Sequence, residues 1–174
     1  MNKKLIPYAC TVSNLGAGGV SLLLTIRGHY KWALLLIVAA AMFDVFDGFL
    51  ARMLGCTSEF GKQLDSLADL VSFGVAPVFL ILQQNLEEAP VLGPAAGIVF
   101  IICGALRLAR FNLTASSPVF TGMPITAAGT LLAFSSLTHT TVSPVGTLLL
   151  IVLLSYLMVS RISFPSLKKI AIKK

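Results

Sequence analysis

Hydrophobic residues follow one another along this chain in six long blocks, which short turns containing glycine, proline or charged residues separate. An α-helix needs about 20 apolar residues to cross a hydrocarbon core about 30 Å thick, and each block is close to that length. The pattern therefore predicts an all-α integral membrane protein with six transmembrane helices, in a single membrane domain covering residues 1–174. The predicted helices lie at about 5–26, 30–54, 64–84, 93–113, 122–141 and 143–163.

The composition strengthens this prediction and excludes other classes. Apolar residues make up 56% of the chain and charged residues only 11%, which is more apolar surface than a soluble globule of this size can bury. The net charge of +6 would suit nucleic acid, but the cations lie between and after the apolar blocks, so no nucleic-acid partner is expected. Cys10, Cys56 and Cys103 have neither zinc-site nor disulfide-framework spacing.

The positive charges predict how the chain is oriented in the membrane. If successive helices alternate in direction, all of the 13 lysines and arginines except Arg27 and Lys31 fall on one side. Positive charge accumulates on the cytoplasmic side of membrane proteins, so both termini are expected in the cytoplasm. The first apolar stretch is short and interrupted by Pro7, which favours a retained helix over a cleaved signal peptide.

All the aspartates of the chain lie in one short window at the edge of the second and third predicted helices. Asp44 and Asp47 are spaced i, i+3, and Asp65 and Asp69 are spaced i, i+4, so each pair shares a helical face. The two faces can meet across the short connection. Like charges in a low-dielectric setting repel unless a cation lies between them, and carboxylate oxygens favour Mg²⁺, Mn²⁺ or Ca²⁺ over zinc.

Small residues and one arginine accompany these carboxylates on the same helical faces. Gly48 and Ala51 follow Asp47, and Gly61 precedes Asp65 by one turn. Small side chains leave room for a nucleotide or for another helix, and the Arg52 guanidinium is a forked donor for phosphate oxygens. Structural ion pairs and a pathway for protons or divalent cations remain alternatives for carboxylates inside a membrane.

Written out, the window is Asp44-Val-Phe-Asp47-Gly48-Phe-Leu-Ala51-Arg52, eight further residues, and then Gly61, Asp65 and Asp69 at intervals of four. It resembles the motif of the CDP-alcohol phosphotransferase family, D-x2-D-G-x2-A-R-x8-G-x3-D-x3-D, at every defined position. The resemblance implies an integral membrane enzyme that joins a CDP-activated lipid to an alcohol and releases CMP. It also implies two divalent cations as cofactors, Mg²⁺ or Mn²⁺, and a homodimer.

The resemblance implies a role for each residue of the motif. Asp44, Asp47 and Asp65 would be metal ligands, and Asp69 would be both a ligand and the general base that deprotonates the acceptor hydroxyl. The CDP and diphosphate site would be lined by Gly48, Ala51, Arg52, Gly61, Ser58 and Asn14. For Ser58 and Asn14 an ordinary structural role remains an alternative. His29 and His139 are expected on the opposite side of the membrane, which excludes a Ser-His-Asp arrangement.

Further stretches favour one alcohol acceptor. The segments 72–77, 104–112, 120–129 and 155–160 resemble the phosphatidylserine synthases of the Bacillus type. Leu70 stands where relatives that use glycerol phosphate commonly have lysine. This resemblance implies CDP-diacylglycerol and L-serine as substrates, in a bacterial plasma membrane with the active site facing the cytoplasm. Glycerol 3-phosphate or another alcohol remains the alternative acceptor, and a divalent-cation carrier remains the alternative from a different class.

The carboxylate of serine needs a cationic partner, and two arginines of the fourth predicted helix are candidates. Arg107 and Arg110 lie one turn apart near the same membrane face as the aspartates. They could also extend to lipid headgroups as anchors or hold the phosphate of the donor. Asn112 and Ser72 are weaker candidates for contact with the acceptor.

Overall fold

The computed structural model describes residues 5–53, 55, 58–113, 122–138 and 142–160, without the side chains of 5–7, 51 and 52. Within these ranges the backbone forms six helices and no strand, which confirms the all-α prediction. The helices are α1 (Leu5–Ile26), α2 (Tyr30–Met53), α3 (Glu59–Gln84), α4 (Leu92–Leu113), α5 (Ile125–Thr138) and α6 (Pro144–Val159).

Helices α1 to α4 are long and apolar enough to cross a membrane. Helices α5 and α6 are equally apolar but shorter than a full span in the part of the chain that the structure describes. Positions 139–141 and 161–163, with which the two predicted helices end, lie outside the described residues. The described part of the chain therefore contains four membrane-capable helices, and spans by α5 and α6 remain a prediction.

Two helices begin at positions that the hydrophobic pattern did not predict. The prediction that the third helix begins near residue 64 was wrong: α3 begins at Glu59, because Ser58 caps it by accepting a hydrogen bond from the Gly61 backbone N–H at 3.0 Å. The fifth helix begins at Ile125 and not at 122. Gly122 has a φ of +85°, and the Met123 N–H donates to the carbonyl of Leu157 at 3.1 Å, so this segment crosses the end of α6 as a loop.

Contacts at both ends of the bundle show that successive helices alternate in direction. Ser21 of α1 donates to the Ala33 carbonyl of α2 near their connection, and Asn112 at the end of α4 donates to Ser66 near the start of α3. One end of the bundle therefore contains the starts of α1, α3 and α5 and the last turns of α2, α4 and α6. This end holds the aspartates, and we refer to it as the carboxylate end.

Helix α3 lies at the centre of the bundle, where it packs against α1, α2, α4 and α5. Glycines let the neighbouring helices approach its backbone closely. A Cβ atom at Gly18 of α1 would lie 2.8 Å from the Cα of Ser72, and one at Gly129 of α5 would lie 2.7 Å from the Cα of Phe73. Real Cβ atoms are essentially never this close to another atom. Only glycine therefore lets the backbones of α1 and α5 contact the middle of α3.

A π-helical turn at Leu70–Val75 interrupts α3 directly after Asp69. There the Ala76 N–H donates to the carbonyl of Val71, five residues earlier. Pro77 follows in the first turn of the next α-helical segment and has no N–H to continue a regular ladder, which accounts for the wide turn. The turn joins a polar segment, Glu59–Asp69, to an apolar and buried one, Ala76–Gln84.

Candidate active site

Three carboxylates from two helices meet at the carboxylate end. Oxygen atoms of Asp44 and Asp47 on α2 and of Asp65 on α3 all lie within 4.8 Å of one another. Asp47 is only 6% exposed, and the other two are half-buried. The i, i+3 spacing places both α2 carboxylates toward α3, so the expectation that the two acidic faces meet is confirmed.

These three residues fit a divalent cation. The Oδ1 atom of Asp65 is buried and has no hydrogen-bond partner among the described residues. Among the side chains that the structure describes, no ion pair within 4 Å is seen between a lysine or arginine and any of the three carboxylates. A buried, unpaired carboxylate oxygen beside two further carboxylates is unfavourable unless a cation neutralises it. The cluster could therefore hold a metal with hard-ligand preference, such as Mg²⁺ or Mn²⁺.

Asp69 lies one turn after Asp65 on α3 and is held separately. It is 7% exposed and accepts a hydrogen bond from the Asn14 side-chain amide of α1 at 3.3 Å. Asn14 is fully buried, and its Oδ1 atom has no partner among the described residues. Asp69 thus has a defined orientation at the edge of the three-carboxylate cluster, and its role as a fourth metal ligand remains a prediction.

The glycine and serine expected to line the CDP site lie where α3 begins. The Ser58 hydroxyl caps α3 and forms a hydrogen bond with the Tyr8 hydroxyl at 2.7 Å. A Cβ atom at Gly61 would come within 3.1 Å of the Tyr8 ring, so any larger residue at this position would require the ring to shift by a few tenths of an ångström. Gly48 lies on α2, one residue beyond Asp47.

Two further residues of the predicted CDP site, Ala51 and Arg52, lie in the last turn of α2, and their side chains are outside the described residues. Their roles therefore remain predictions. The position of this turn, directly after the α2 carboxylates, is compatible with a phosphate group near Asp44 and Asp47.

The four residues expected to contact the acceptor lie at or near the carboxylate end but differ in what they contact. Arg107 interacts electrostatically with Asp69 and Asp44, and its Nε atom is buried without a described partner. Arg110 donates to the Val159 carbonyl at 3.2 Å, and Asn112 donates to Ser66 at 3.0 Å. Ser72 is fully buried. The charge of Arg107 thus acts on the carboxylates.

Sequence reasoning missed two residues that contact the site. The Thr11 hydroxyl of α1 donates to Oδ2 of Asp47 at 2.8 Å. Tyr8, one turn earlier, contacts Ser58 as described above and packs its ring edge-on against Phe60 with the centroids 5.7 Å apart. The spacing of Tyr8, Thr11 and Asn14 at i, i+3 and i+6 was the available signal, because these positions share one face of α1.

Comparison with known proteins identifies related sequences along nearly the whole chain. The sequence profile of the CDP-alcohol phosphatidyltransferase family matches residues 4–171. A CDP-diacylglycerol–serine O-phosphatidyltransferase from Bacillus subtilis is 40% identical over 165 residues, which are 94% of this chain and 92% of the relative. A protein of the same name from Helicobacter pylori is 38% identical over 175 residues, 95% of this chain and 74% of the relative.

A third relative comes from an archaeon. An archaetidylserine synthase from Methanothermobacter thermautotrophicus is 36% identical over 163 residues, which are 92% of this chain and 69% of the relative. The names of all three relatives include a serine-containing product or serine as a substrate.

Proposed function

This chain belongs to the CDP-alcohol phosphatidyltransferase family, and from that membership we propose that it transfers the phosphatidyl group of CDP-diacylglycerol to L-serine. The products are phosphatidylserine and CMP. The meeting of the Asp44, Asp47 and Asp65 carboxylates is the observation that carries the chemistry. The names of the relatives from Bacillus subtilis and Helicobacter pylori support serine as the acceptor.

The proposed setting is a bacterial plasma membrane that a single domain of six helices crosses. Both termini and the carboxylate end face the cytoplasm in this arrangement, as the distribution of lysine and arginine predicts. The proposal includes a homodimer, which the family resemblance implies.

The orientation can be tested on intact cells by cysteine labelling at two exposed glutamates at opposite ends of the bundle, Glu59 and Glu87. In a variant without the native cysteines, a membrane-impermeant maleimide is expected to label Glu87→Cys from outside and Glu59→Cys only after permeabilisation. The reverse labelling would contradict the proposed orientation.

Two divalent cations, Mg²⁺ or Mn²⁺, are the proposed cofactors, and Asp44, Asp47, Asp65 and Asp69 are the proposed ligands. When bound, such cations neutralise charge on a diphosphate and on the departing phosphate. The buried, unpartnered Oδ1 atom of Asp65 supports this assignment. Gly48, Ala51, Arg52 and Gly61, with Ser58 and Asn14, are the proposed contacts of the CDP group.

The proposed reaction is a direct transfer. The serine hydroxyl oxygen forms a bond to the phosphorus that carries diacylglycerol, and the bond from that phosphorus to the bridging oxygen breaks, so CMP leaves with the bridging oxygen. Asp69 accepts the hydroxyl proton as general base. Its hydrogen bond from Asn14 fixes one carboxylate oxygen and leaves the other for the acceptor. Arg107, with Arg110, Asn112 and Ser72, is proposed to orient the acceptor.

The test of this function is CMP release by the detergent-purified protein with CDP-diacylglycerol and Mn²⁺ or Mg²⁺. L-serine, glycerol 3-phosphate, inositol phosphate and no acceptor are compared in parallel. Release that requires L-serine, with phosphatidylserine as the lipid product, is the expected result. Release with another acceptor would keep the family chemistry and reject serine. No release with any acceptor, together with Mn²⁺ flux into proteoliposomes, would favour the cation carrier.

A further inference from the structure

Helix α1 carries no acidic residue in its described length, yet it contacts carboxylates on both neighbouring helices. Thr11 donates to Asp47 of α2, and Asn14, one turn later, donates to Asp69 of α3. Both side chains are buried, with Thr11 4% and Asn14 0% exposed. Buried hydrogen bonds to a charged group are among the stronger ones in proteins, so α1 is bonded to the site from two directions.

The position of α1 relative to α3 is itself fixed close to the site. The Ser72 hydroxyl donates to the backbone carbonyl of Asn14 at 3.0 Å. One turn later on α1, Gly18 lies directly against the backbone of Ser72. Because no side chain separates the two backbones at this contact, α1 has little freedom to slide along α3. The Thr11 hydroxyl is therefore presented to Asp47 from a helix whose register against α3 is set.

The contact between Thr11 and Asp47 fixes how that carboxylate is turned. Its hydrogen bond, at 2.8 Å, is made to Oδ2, which restricts rotation of the carboxylate. A carboxylate held in this way can offer an oxygen to a cation shared with Asp44 and Asp65, because oxygens of all three residues lie within 4.8 Å of one another. Loss of a group that holds a metal ligand in place typically lowers the metal affinity about 10- to 100-fold.

We propose that Thr11 is a positioning residue: its hydroxyl holds Asp47 in the orientation in which Asp47, Asp44 and Asp65 bind one divalent cation together. The proposal rests on the proposed function, since it takes this cluster to be the metal site of the transferase. It assigns a role to a residue outside the acidic motif. It also explains why a helix without acidic residues lies against the carboxylate cluster.

The test is Mn²⁺ binding by the purified full-length protein in detergent, followed by the electron paramagnetic resonance signal of free Mn²⁺. Thr11→Val keeps the shape and removes the hydroxyl, and Thr11→Ser keeps the hydroxyl. We expect Thr11→Val to weaken Mn²⁺ binding by about 10-fold. Thr11→Ser is expected to stay within about 3-fold of the unmodified protein, since it retains the hydrogen bond.

Thr25 provides the matched control. It lies on the same helix, is 0% exposed, and its hydroxyl has no hydrogen-bond partner among the described residues. It is 14 residues from Thr11, or about 21 Å along the helix at 1.5 Å per residue. Thr25→Val makes the same chemical change away from the carboxylates, and we expect it to bind Mn²⁺ as the unmodified protein does.

A second readout separates positioning from a general structural role. With CDP-diacylglycerol and L-serine, the Thr11→Val rate is expected to fall at limiting Mn²⁺ and to recover largely at saturating Mn²⁺. The KM for serine should stay unchanged. A merely structural role would lower the rate at every Mn²⁺ concentration and lower the Tm in detergent.

Three outcomes would overturn the proposal: unchanged Mn²⁺ binding by Thr11→Val, equal losses for Thr11→Val and Thr11→Ser, or an equal loss for Thr25→Val. If Thr11→Val is not monodisperse after purification, Thr11→Ala carries the same comparison with Thr11→Ser. Failure of the proposed function is recognised separately, because the unmodified protein would then bind Mn²⁺ without serine-dependent CMP release. The binding comparison would still decide the role of Thr11.

Discussion

The two ends of the helical bundle use buried polar side chains in different ways. At the carboxylate end, such side chains bond from one helix to another, as Thr11 does to Asp47 and Asn14 to Asp69. At the opposite end, the buried Ser21 hydroxyl bonds to a backbone carbonyl, that of Ala33, and the hydroxyl of Thr25 and both amide atoms of Asn85 are buried without partners among the described residues. A bond there from α2 to α3, from the Tyr30 hydroxyl to the Gln83 carbonyl, is long at 3.4 Å.

This difference indicates which end of the bundle needs atoms at defined positions. Apolar packing is sufficient to hold helices together, since close contact is nearly independent of direction. A cation or a substrate needs oxygen atoms at defined positions, which directional hydrogen bonds provide. The carboxylate end therefore has the directional hydrogen bonds that a binding site needs. The opposite end is held together mainly by apolar packing.

The largest effect is expected at Asp69. Asp69→Asn keeps the shape and the contact with Asn14 but removes the proposed base, so serine-dependent CMP release should fall by about 10²- to 10⁴-fold. Release of CMP from CDP-diacylglycerol is the measurement. Glu87→Gln, an exposed change at the opposite end, is the control and should keep its rate. Retention of the rate by Asp69→Asn would refute the assignment of the base.

The next effect concerns the three-carboxylate cluster. Asp65→Asn removes one charge of the proposed metal site, so the rate at limiting Mn²⁺ should fall by about 100-fold. Chelation of the unmodified protein with EDTA should abolish turnover, and added Mn²⁺ should restore it. Activity that survives chelation would show that the cluster serves another purpose.

A third pair of variants compares two glycines of α1. Gly18→Ala forces a methyl group against the Ser72 backbone and should destabilise the protein by about 1–3 kcal/mol. Gly16→Ala meets nothing within 4 Å and should stabilise α1 by up to about 1 kcal/mol. Thermal unfolding in detergent, followed by circular dichroism, measures both. Equal effects would show that α1 does not rest directly on α3.

The smallest effect comes from two tyrosines at opposite ends. Tyr8→Phe removes the hydroxyl that bonds Ser58 at 2.7 Å and should lower stability by about 1 kcal/mol, with a fall in rate of a few-fold. Tyr30→Phe removes the hydroxyl of the long bond to Gln83 and should leave the rate unchanged. A larger loss for Tyr30→Phe would reverse the comparison between the two ends.

Much of this architecture could be predicted from local sequence. Apolar length gave the six helices, and the i, i+3 and i, i+4 spacing of the aspartates gave two acidic faces that do meet. These features depend on residues close in sequence, for which helical geometry is fixed. The starts of α3 and α5 were missed, because the Ser58 cap extends a helix into a polar stretch and the loop after Gly122 is set by contact with α6.

The contacts of α1 could not be predicted in the same way. Thr11 is 36 residues from Asp47, and a threonine in an apolar helix is ordinarily a packing residue. Only the packing of α1 between the two acidic helices distinguishes Thr11 from Thr25. Ser72 shows the same limit: the bond from its hydroxyl to the Asn14 carbonyl spans 58 residues and could not be predicted locally, and its contact with the acceptor remains a prediction.

The π-helical turn at Leu70–Val75 bears on how this chain tolerates changes in length. Loss of one residue there would let the i, i+5 bond of Ala76 become an ordinary i, i+4 bond, so the helix would remain continuous. Each residue of an α-helix advances its face by about 100°. The wide turn contains one residue more than an α-helical turn, so its loss would leave the segment with Asp65 and Asp69 on nearly the same face relative to the buried segment after Ala76. A single-residue deletion at this turn should therefore give a chain whose two acidic faces still meet, whereas a deletion in the regular part of α3 between this turn and Asp65 would turn Asp65 away by about 100°.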